Sequence, residues 1–438
     1  MEGDCGTRGS DSSASRNPGW EKVAQATRLF RPATRRSKRE GASGLFPTAG
    51  FMANLLSVPL GRWPNETGQL PVPPNSSSES SGSQPLADSP VWLARRAGSF
   101  MLWRPMTGFA TDLLKATARS FYLTLRVLPA RVRPQIGLAY LLARTTDTIA
   151  DTELVPVAHR LAALQQLRAR ILGQSAAPLA FGELARQQGS PAEKLLLEKV
   201  EDSLAALRQL STGDQQLIRE VLTTITSGQE LDLQRFASQA SGGRPRITAL
   251  KTGAELEDYT YRVAGCVGEF WTKLCRAHLF PKAQLDEKQF LADGIRFGQG
   301  LQLVNILRDL PVDLQNGRCY LPWEQLSPAK LTPENLLQPE HAASFLPLFH
   351  ARLAQAEAHL AAGWRYTNTL PFGQFRVRLA CAWPLLLGAK TLQKLRAAEV
   401  AGLRRRVKVS RGEVYALLLH SVLASPFPCW WRKLFPAD

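Results

Sequence analysis

The chain has 438 residues, 44% of them hydrophobic, and a formal net charge of +17. The length suits one large domain or two ordinary ones, and the apolar content is enough for a sizeable core. The charge would suit nucleic acid, an anionic membrane or an anionic substrate. With no zinc finger, recognition helix or aromatic RNA-binding motif in the sequence, nucleic acid is set aside as a partner.

Residues 1–105 differ from the rest. They carry SDSSAS, PNETGQLPVPPNSSSESSGSQP and the basic run RPATRRSKRE. Such a segment buries too little apolar surface to offset its ordering entropy, so a disordered N-terminal extension with short marginal helices is expected. Glu2, Asp4, Asp11, Glu21 and Glu40 argue against a transit peptide, and no secretory signal is present. Met52, Met101 and Met106 are alternative starts, with Met101 or Met106 favoured. Six cysteines, Cys5, Cys266, Cys275, Cys319, Cys381 and Cys429, form no CxxC or other metal-ligand spacing. That fits a reduced, cytoplasmic protein.

From residue 106 to 430 the pattern is helix after helix, and it predicts one all-α domain. Apolar residues recur at three and four spacings in LAALQQLRARIL, EKLLLEKVEDSLAALRQL and QQLIREVLTTITSGQELDLQRF. No β-branched alternation is long enough for a sheet. Prolines and glycines, among them Pro129, Pro134, Pro156, Pro281, Pro322 and Pro371, divide the region into about ten helices.

Four segments carry chemistry. Arg119, Ser120 and Phe121 put a cation and a hydroxyl beside an aromatic. Basic and hydroxyl groups can hold a diphosphate, while the aromatic lines an apolar channel or faces a cation. Tyr140, Arg144, Asp147 and Asp151 form one stripe down a helix, with two carboxylates at i,i+4. Residues 259–268, YTYRVAGCVG, place Gly265 and Gly268 in a helix at about 1 kcal/mol each against Ala. The return would be close approach of backbone to a ligand or a neighbouring helix. Gln302, Asn305, Asp309 and Asp313 form a second stripe, with Arg308 alongside and Arg318 and Tyr320 just beyond.

A carboxylate in apolar helical sequence is unfavourable unless paired or metal-bound. Two such pairs opposed across a helical cavity would hold Mg²⁺, which takes a few carboxylates plus substrate phosphates. The bland reading of either pair alone is a solvated helix face; the functional one rests on the parts occurring together. Pro311, between the second pair, is expected to kink its helix and shift Asp313.

The C-terminal stretch VYALLLHSVLASPFPCWWRKLF is too short and broken to span a membrane. Its aromatics beside basic residues suit peripheral contact with the cytoplasmic membrane face. Equally, they suit a last helix packing its aromatics on the core.

The chain resembles the squalene/phytoene synthases, which join two allylic prenyl diphosphates head to head. Five blocks match in order: RSF at 119–121, YLLARTTDTIAD at 140–151, YTYRVAGCVG at 259–268, QLVNILRDLPVDLQNGRCYLP at 302–322 and KVSRGE at 408–413. The resemblance implies the isoprenoid synthase fold, helical around a central cavity. Asp147, Asp151, Asp309 and Asp313 would hold Mg²⁺, and Tyr259 matches the tyrosine proposed to take a proton. Arg119, Ser120, Phe121, Tyr140, Arg144, Val263, Gly268, Gln302, Asn305, Arg308 and Arg318 would meet the prenyl diphosphate.

Asp-Thr-Ile-x-Asp, CAWPLLLGAKTL and KVSRGE look more like the squalene synthase branch. That branch implies two farnesyl diphosphates joined through presqualene diphosphate to squalene. The resemblance puts NADPH near Lys408 and Arg411, with Arg119, Arg144 and Arg308 as further cations. Two departures stand out. Ser410 occupies a position where the family has Arg, and Val312 replaces a Glu of the second motif. The alternatives are phytoene or dehydrosqualene synthesis, with no hydride step, and a non-enzymatic helical assembly factor. Retention of all four aspartates argues against the last.

Overall fold

Proline and capping residues set the helix boundaries along the described chain of this computed structural model, residues 108–118, 121–236, 247–398 and 400–435. All of these lie in the unit Phe46–Asp438. The expected extension 1–105, with its alternative starts, lies outside the described residues, as do Arg119 and Ser120.

The helices in order are α1 Gly108–Thr117, α2 Phe121–Val127, α3 Arg133–Asp151, α4 Val157–Leu172, α5 Gly182–Arg186, α6 Pro191–Glu198, α7 Val200–Arg208, α8 Thr212–Arg235 and α9 Gly253–Thr260. They continue as α10 Cys266–Leu279, α11 Glu287–Gln315, α12 Trp323–Leu326, α13 Ala342–Thr369, α14 Phe375–Arg396, α15 Val400–Leu403, α16 Arg411–Ala424 and α17 Pro428–Arg432. Pro134, Pro191 and Pro428 fall in the first turn of α3, α6 and α17, where a missing N–H is harmless. Ser211 and Asp286 cap α8 and α11 through their side chains, and Gly173 closes α4 at φ 75°.

The centre of the fold is α11. It packs most extensively on α13, then on α10 and α14. Residues Leu301 to Leu307 of α11 are all buried, as a helix enclosed on every side requires. The helix continues past Pro311 to Gln315, with one backbone hydrogen bond fewer at the proline. The close crossing of α10 on α11 is made by glycines. A Cβ on Gly268 would stand 1.9 Å from the carbonyl oxygen of Gly294, and one on Gly298 would stand 2.2 Å from that of Ala264.

Two local features are absent from the helical reading of the sequence. Between α9 and α10 the chain makes a π turn, Tyr261–Gly265. In addition, β1 Thr248–Ala249 pairs in parallel with β2 Arg318–Cys319. This pairing is short, but it fixes the GRCYLP segment: Thr248 N–H donates to the Gly317 carbonyl and Leu250 N–H to that of Cys319. Gly317 leaves α11 at φ 75°, a conformation that favours glycine.

Candidate active site

An apolar cavity of about 560 Å³, counting its open mouth, lies among α2, α10, α11, α13 and α14. Its wall includes Phe121, Trp271, Phe297, Leu301, Tyr366 and Pro384, and Gly268, Gly294 and Gly298 leave it room. Polar groups there are few: Thr124 Oγ1 is buried without a partner. Along α11 the residues Gly294, Gly298, Gln302, Asn305, Asp309 and Asp313 follow at spacings of three and four. One helix face thus leads from the apolar cavity to the second acidic pair. Gly298 and Asp309 are about 16 Å apart along the axis at 1.5 Å per residue.

The first acidic stripe is on α3. Tyr140 is buried, its hydroxyl donates to the Thr117 carbonyl at 3.0 Å, and its ring stands 5.2 Å from that of Phe121. The hydroxyl thus has a structural partner, while Phe121 faces the cavity. Arg144 pairs with Glu193 of α6 and lies 3.8 Å from Asp147. Burial works against the charge of Arg144, but Asp147, Tyr140 and Glu193 outweigh it and hold the guanidinium ionised. Asp147 is 5% exposed and accepts from Gln229 Nε2 of α8 at 2.6 Å. Burial pushes its carboxyl well above the usual range; Arg144 opposes this and Asp151 adds to it. Arg160 donates to the Ala150 carbonyl at 2.6 Å, steadying the last turn of α3 beside Asp151.

The second stripe is on α11. Asp309 is gripped by two arginines: Arg308 Nη2 at 2.6 Å and Arg406 Nε at 2.6 Å. Gln302 and Asn305 are buried and hydrogen-bonded to each other at 3.4 Å, leaving Asn305 Oδ1 without a partner. Asp313 is 4% exposed and its Oδ1 is also unpartnered. Burial raises the Asp313 carboxyl well above the ordinary range, and Asp309 raises it further.

Arg318 ties the two stripes together. Burial disfavours its charge, but Tyr320, Asp151, Asp232 and Asp313 raise its pKa, so one guanidinium feels acids of both motifs. Behind it, Tyr259 and Tyr320 stack at 4.6 Å. The Tyr320 hydroxyl donates to Asp232 Oδ2 at 2.9 Å, and the Tyr259 hydroxyl hydrogen-bonds in the same cluster. Burial pushes Asp232 up to about 6 despite the tyrosine and Arg318. Val263 is buried in the π turn.

Five partners escaped sequence reasoning: Glu193, Gln229, Asp232, Trp271 and Arg406. Asp232 lies among Gln229, Glu230, Gln234 and Arg235 in α8, a stretch whose polar residues read as a solvated face.

The donor set fits Mg²⁺ completed by substrate oxygens. It is all hard oxygen, and Asp313 Oδ1 and Asn305 Oδ1 are buried without partners. A cage made by the protein alone is not what the residues build: among the described residues no three His, Cys, Asp or Glu side chains converge on one point. For a phosphate-bearing cofactor, Lys408 and Arg411 are exposed cations before and at the start of α16. Ser410 has a structural task, since it caps α16 in a reciprocal pair with Glu413.

The family described as "Squalene/phytoene synthase" matches residues 114–413, most of the chain and every block above. The chain belongs to the squalene/phytoene synthase family. Within the family it is 32% identical over 254 residues to a bifunctional lycopene cyclase/phytoene synthase of Gibberella fujikuroi, covering 56% of this chain and 40% of that one. It therefore spans well under two thirds of that relative's length. A squalene synthase of Schizosaccharomyces pombe is 24% identical over 336 residues, 74% of this chain and 69% of the relative. A presqualene diphosphate synthase of Sinorhizobium fredii is 33% identical over 260 residues, 58% of this chain and 77% of that one. The solved structure of TcSQS with the ligand BPH1237 has the same fold, at a TM-score of 0.60 and 22% identity, covering 74% of this chain and 89% of that one.

Proposed function

We propose that this chain joins two prenyl diphosphates head to head, with farnesyl diphosphate as substrate, presqualene diphosphate as intermediate and squalene as product. The observation that carries the reading is the single face of α11. It runs from an apolar cavity to buried oxygen ligands and arginines, the two environments a prenyl diphosphate needs at its two ends.

Arg144, Arg308, Arg318 and Arg406 supply fixed positive charge where diphosphate is released. Phe121, Trp271 and Phe297 exclude water from the allylic chain and leave an aromatic face to a developing cation. Tyr259, against Tyr320 and Asp232, gives the proton lost on carbon–carbon bond formation a buried carboxylate to reach. Mg²⁺ held by Asp147, Asp151, Asp309 and Asp313 would neutralise the leaving diphosphate. NADPH near Lys408 and Arg411 would supply the hydride of the reductive step.

The second reading keeps the fold and the four aspartates and changes the product to phytoene, dehydrosqualene or presqualene diphosphate itself. The likeness to phytoene and presqualene diphosphate synthases favours it. Radiolabelled farnesyl diphosphate with Mg²⁺, with and without NADPH, separates these readings when products are identified by mass. Squalene only with NADPH supports the first. A product indifferent to NADPH, or a preference for geranylgeranyl diphosphate, moves the reading to the second. Lys408→Ala is expected to lower squalene more than presqualene diphosphate. Failure to consume any prenyl diphosphate would overturn both.

A further inference from the structure

Eleven large apolar side chains are exposed among the described residues, and six of them fall within residues 415–430. Tyr415, Leu419, Val422 and Leu423 recur at i, i+4, i+7 and i+8, the outward stripe of α16. Phe427 and Trp430 continue it onto α17, with their rings 4.9 Å apart. Trp430 is 62% exposed and Leu419 61%.

This face is held out rigidly. Val414, Ser421 and Ala424 bury the opposite side of α16, and Trp383 Nε1 donates to Ser421 Oγ at 2.9 Å. Trp431 stacks on Trp364 at 5.4 Å and donates to Asn368 Oδ1 at 2.9 Å, which pins α17 to α13. Of the two readings of the C-terminal aromatics, the structure divides the residues between both: Trp431 is core, Trp430 and Phe427 are surface.

The surroundings are basic. Residues 400–435 contain seven Lys and Arg and one acid, Glu413. Lys394 holds that acid at 2.7 Å, so its charge is answered inside the fold. Arg405, Lys408 and Arg411 are exposed ahead of the stripe, and Arg432 and Lys433 beyond it.

We propose that the α16–α17 face docks this protein on a bilayer surface containing anionic lipid. Six apolar and aromatic side chains would enter the headgroup boundary while cations at both ends meet lipid phosphates. Among the described residues no helix is long and apolar enough to cross a membrane, so the contact is with one leaflet. A second copy of the chain is the weaker occupant, because pairing this face with itself would bring two basic rims together. The proposal does not depend on the prenyl diphosphate reading.

The test is co-sedimentation of the full chain with phosphatidylcholine vesicles with and without phosphatidylglycerol. Binding is expected only with the anionic lipid and is expected to weaken with salt. Leu419→Asp with Leu423→Asp is expected to reduce it about tenfold or more, with an unchanged thermal melt. Among the described cysteines only Cys429 is exposed. A polarity-sensitive dye there, in a chain carrying Cys5→Ser, is expected to shift to the blue on vesicles. The proposal is overturned by no binding to anionic vesicles at low salt, by full binding of the double variant, or by a bound chain whose dye stays aqueous. A dimer that Leu419→Asp dissolves would assign the face to a second copy instead.

Discussion

Arg406 Nε lies 2.6 Å from Asp309 Oδ1, so the segment between α15 and α16 reaches into the second acidic motif. Arg308, the neighbour of Asp309 in sequence, grips the same carboxylate through both Nε and Nη2. Two guanidinium groups therefore compete for the oxygens that a divalent cation would use. Arg406→Ala is expected to lower the Mg²⁺ concentration needed for half-maximal turnover about three- to tenfold. That corresponds to roughly 1 kcal/mol for a partly exposed pair. A Mg²⁺ titration of activity measures it, and an unchanged or higher requirement would remove Arg406 from the competition.

Asp147→Asn and Asp309→Asn are each expected to reduce turnover by orders of magnitude. For Asp147→Asn the melting temperature should hold or rise, because the amide carries no charge to bury. Steady-state rates in excess Mg²⁺ decide this, and near-normal activity of either variant would remove that aspartate from the metal site.

Burial raises the carboxyls of Asp147 and Asp313 well above the usual range and Asp232 to about 6. Each binds its proton more tightly folded than unfolded, where an Asp titrates at about 3.9. Stability from these groups is present at low pH and is lost as pH rises; for Asp232 the loss falls between about 3.9 and 6. Asp232→Asn keeps an acceptor for Tyr320 and removes the titration. Its metal-free melting temperature should fall less over that window than the unsubstituted chain's. Equal slopes in a calorimetric pH series would show that Asp232 has no such role.

Gly268→Ala would set a Cβ 1.9 Å from backbone oxygen of α11, which no side-chain rotation relieves. A loss of about 1–3 kcal/mol is expected from the overpacking. Gly213→Ala, where nothing lies within 4 Å, serves as the control and should be close to neutral. Chemical denaturation of the two variants compares them directly.

We expect residues before 106 to be dispensable, so a chain beginning at Met106 should retain helicity, melting temperature and turnover. A cooperative loss of stability on truncation would make that segment part of the domain.

How much of the site could be read from sequence depended on the distance of each partner along the chain. The acidic stripes were legible because i,i+4 spacing is local, and Gly268 because a glycine inside a helix asks for a reason. Asp232 and Gln229 were not, since their roles come from contacts 88 and 82 residues away in sequence. Arg406 lay hidden in a run of three arginines that reads as a solvated cluster. Pro311 stays inside α11, where packing on several sides offsets one missing hydrogen bond. The helical domain itself was plain, since almost every segment repeats its apolar residues at helical period.

The π turn at Tyr261–Gly265 absorbs one residue more than a regular helix would hold over the same length. Tyr259 and Gly268 are nine residues apart, and on an uninterrupted α-helix at about 100° per residue they would point in opposite directions. One extra residue in the turn brings them to roughly 80° of each other, so neighbouring faces serve the tyrosine stack and the glycine crossing. Point substitutions leave that angle alone. A one-residue deletion in 261–265 that closed the turn into regular α-helix would leave the tyrosine and the crossing glycine eight residues apart, again about 80°, so the facing of Gly268 on Gly294 would survive loss of the turn. The turn therefore takes up one residue beside the tyrosine stack without swinging α10 off α11.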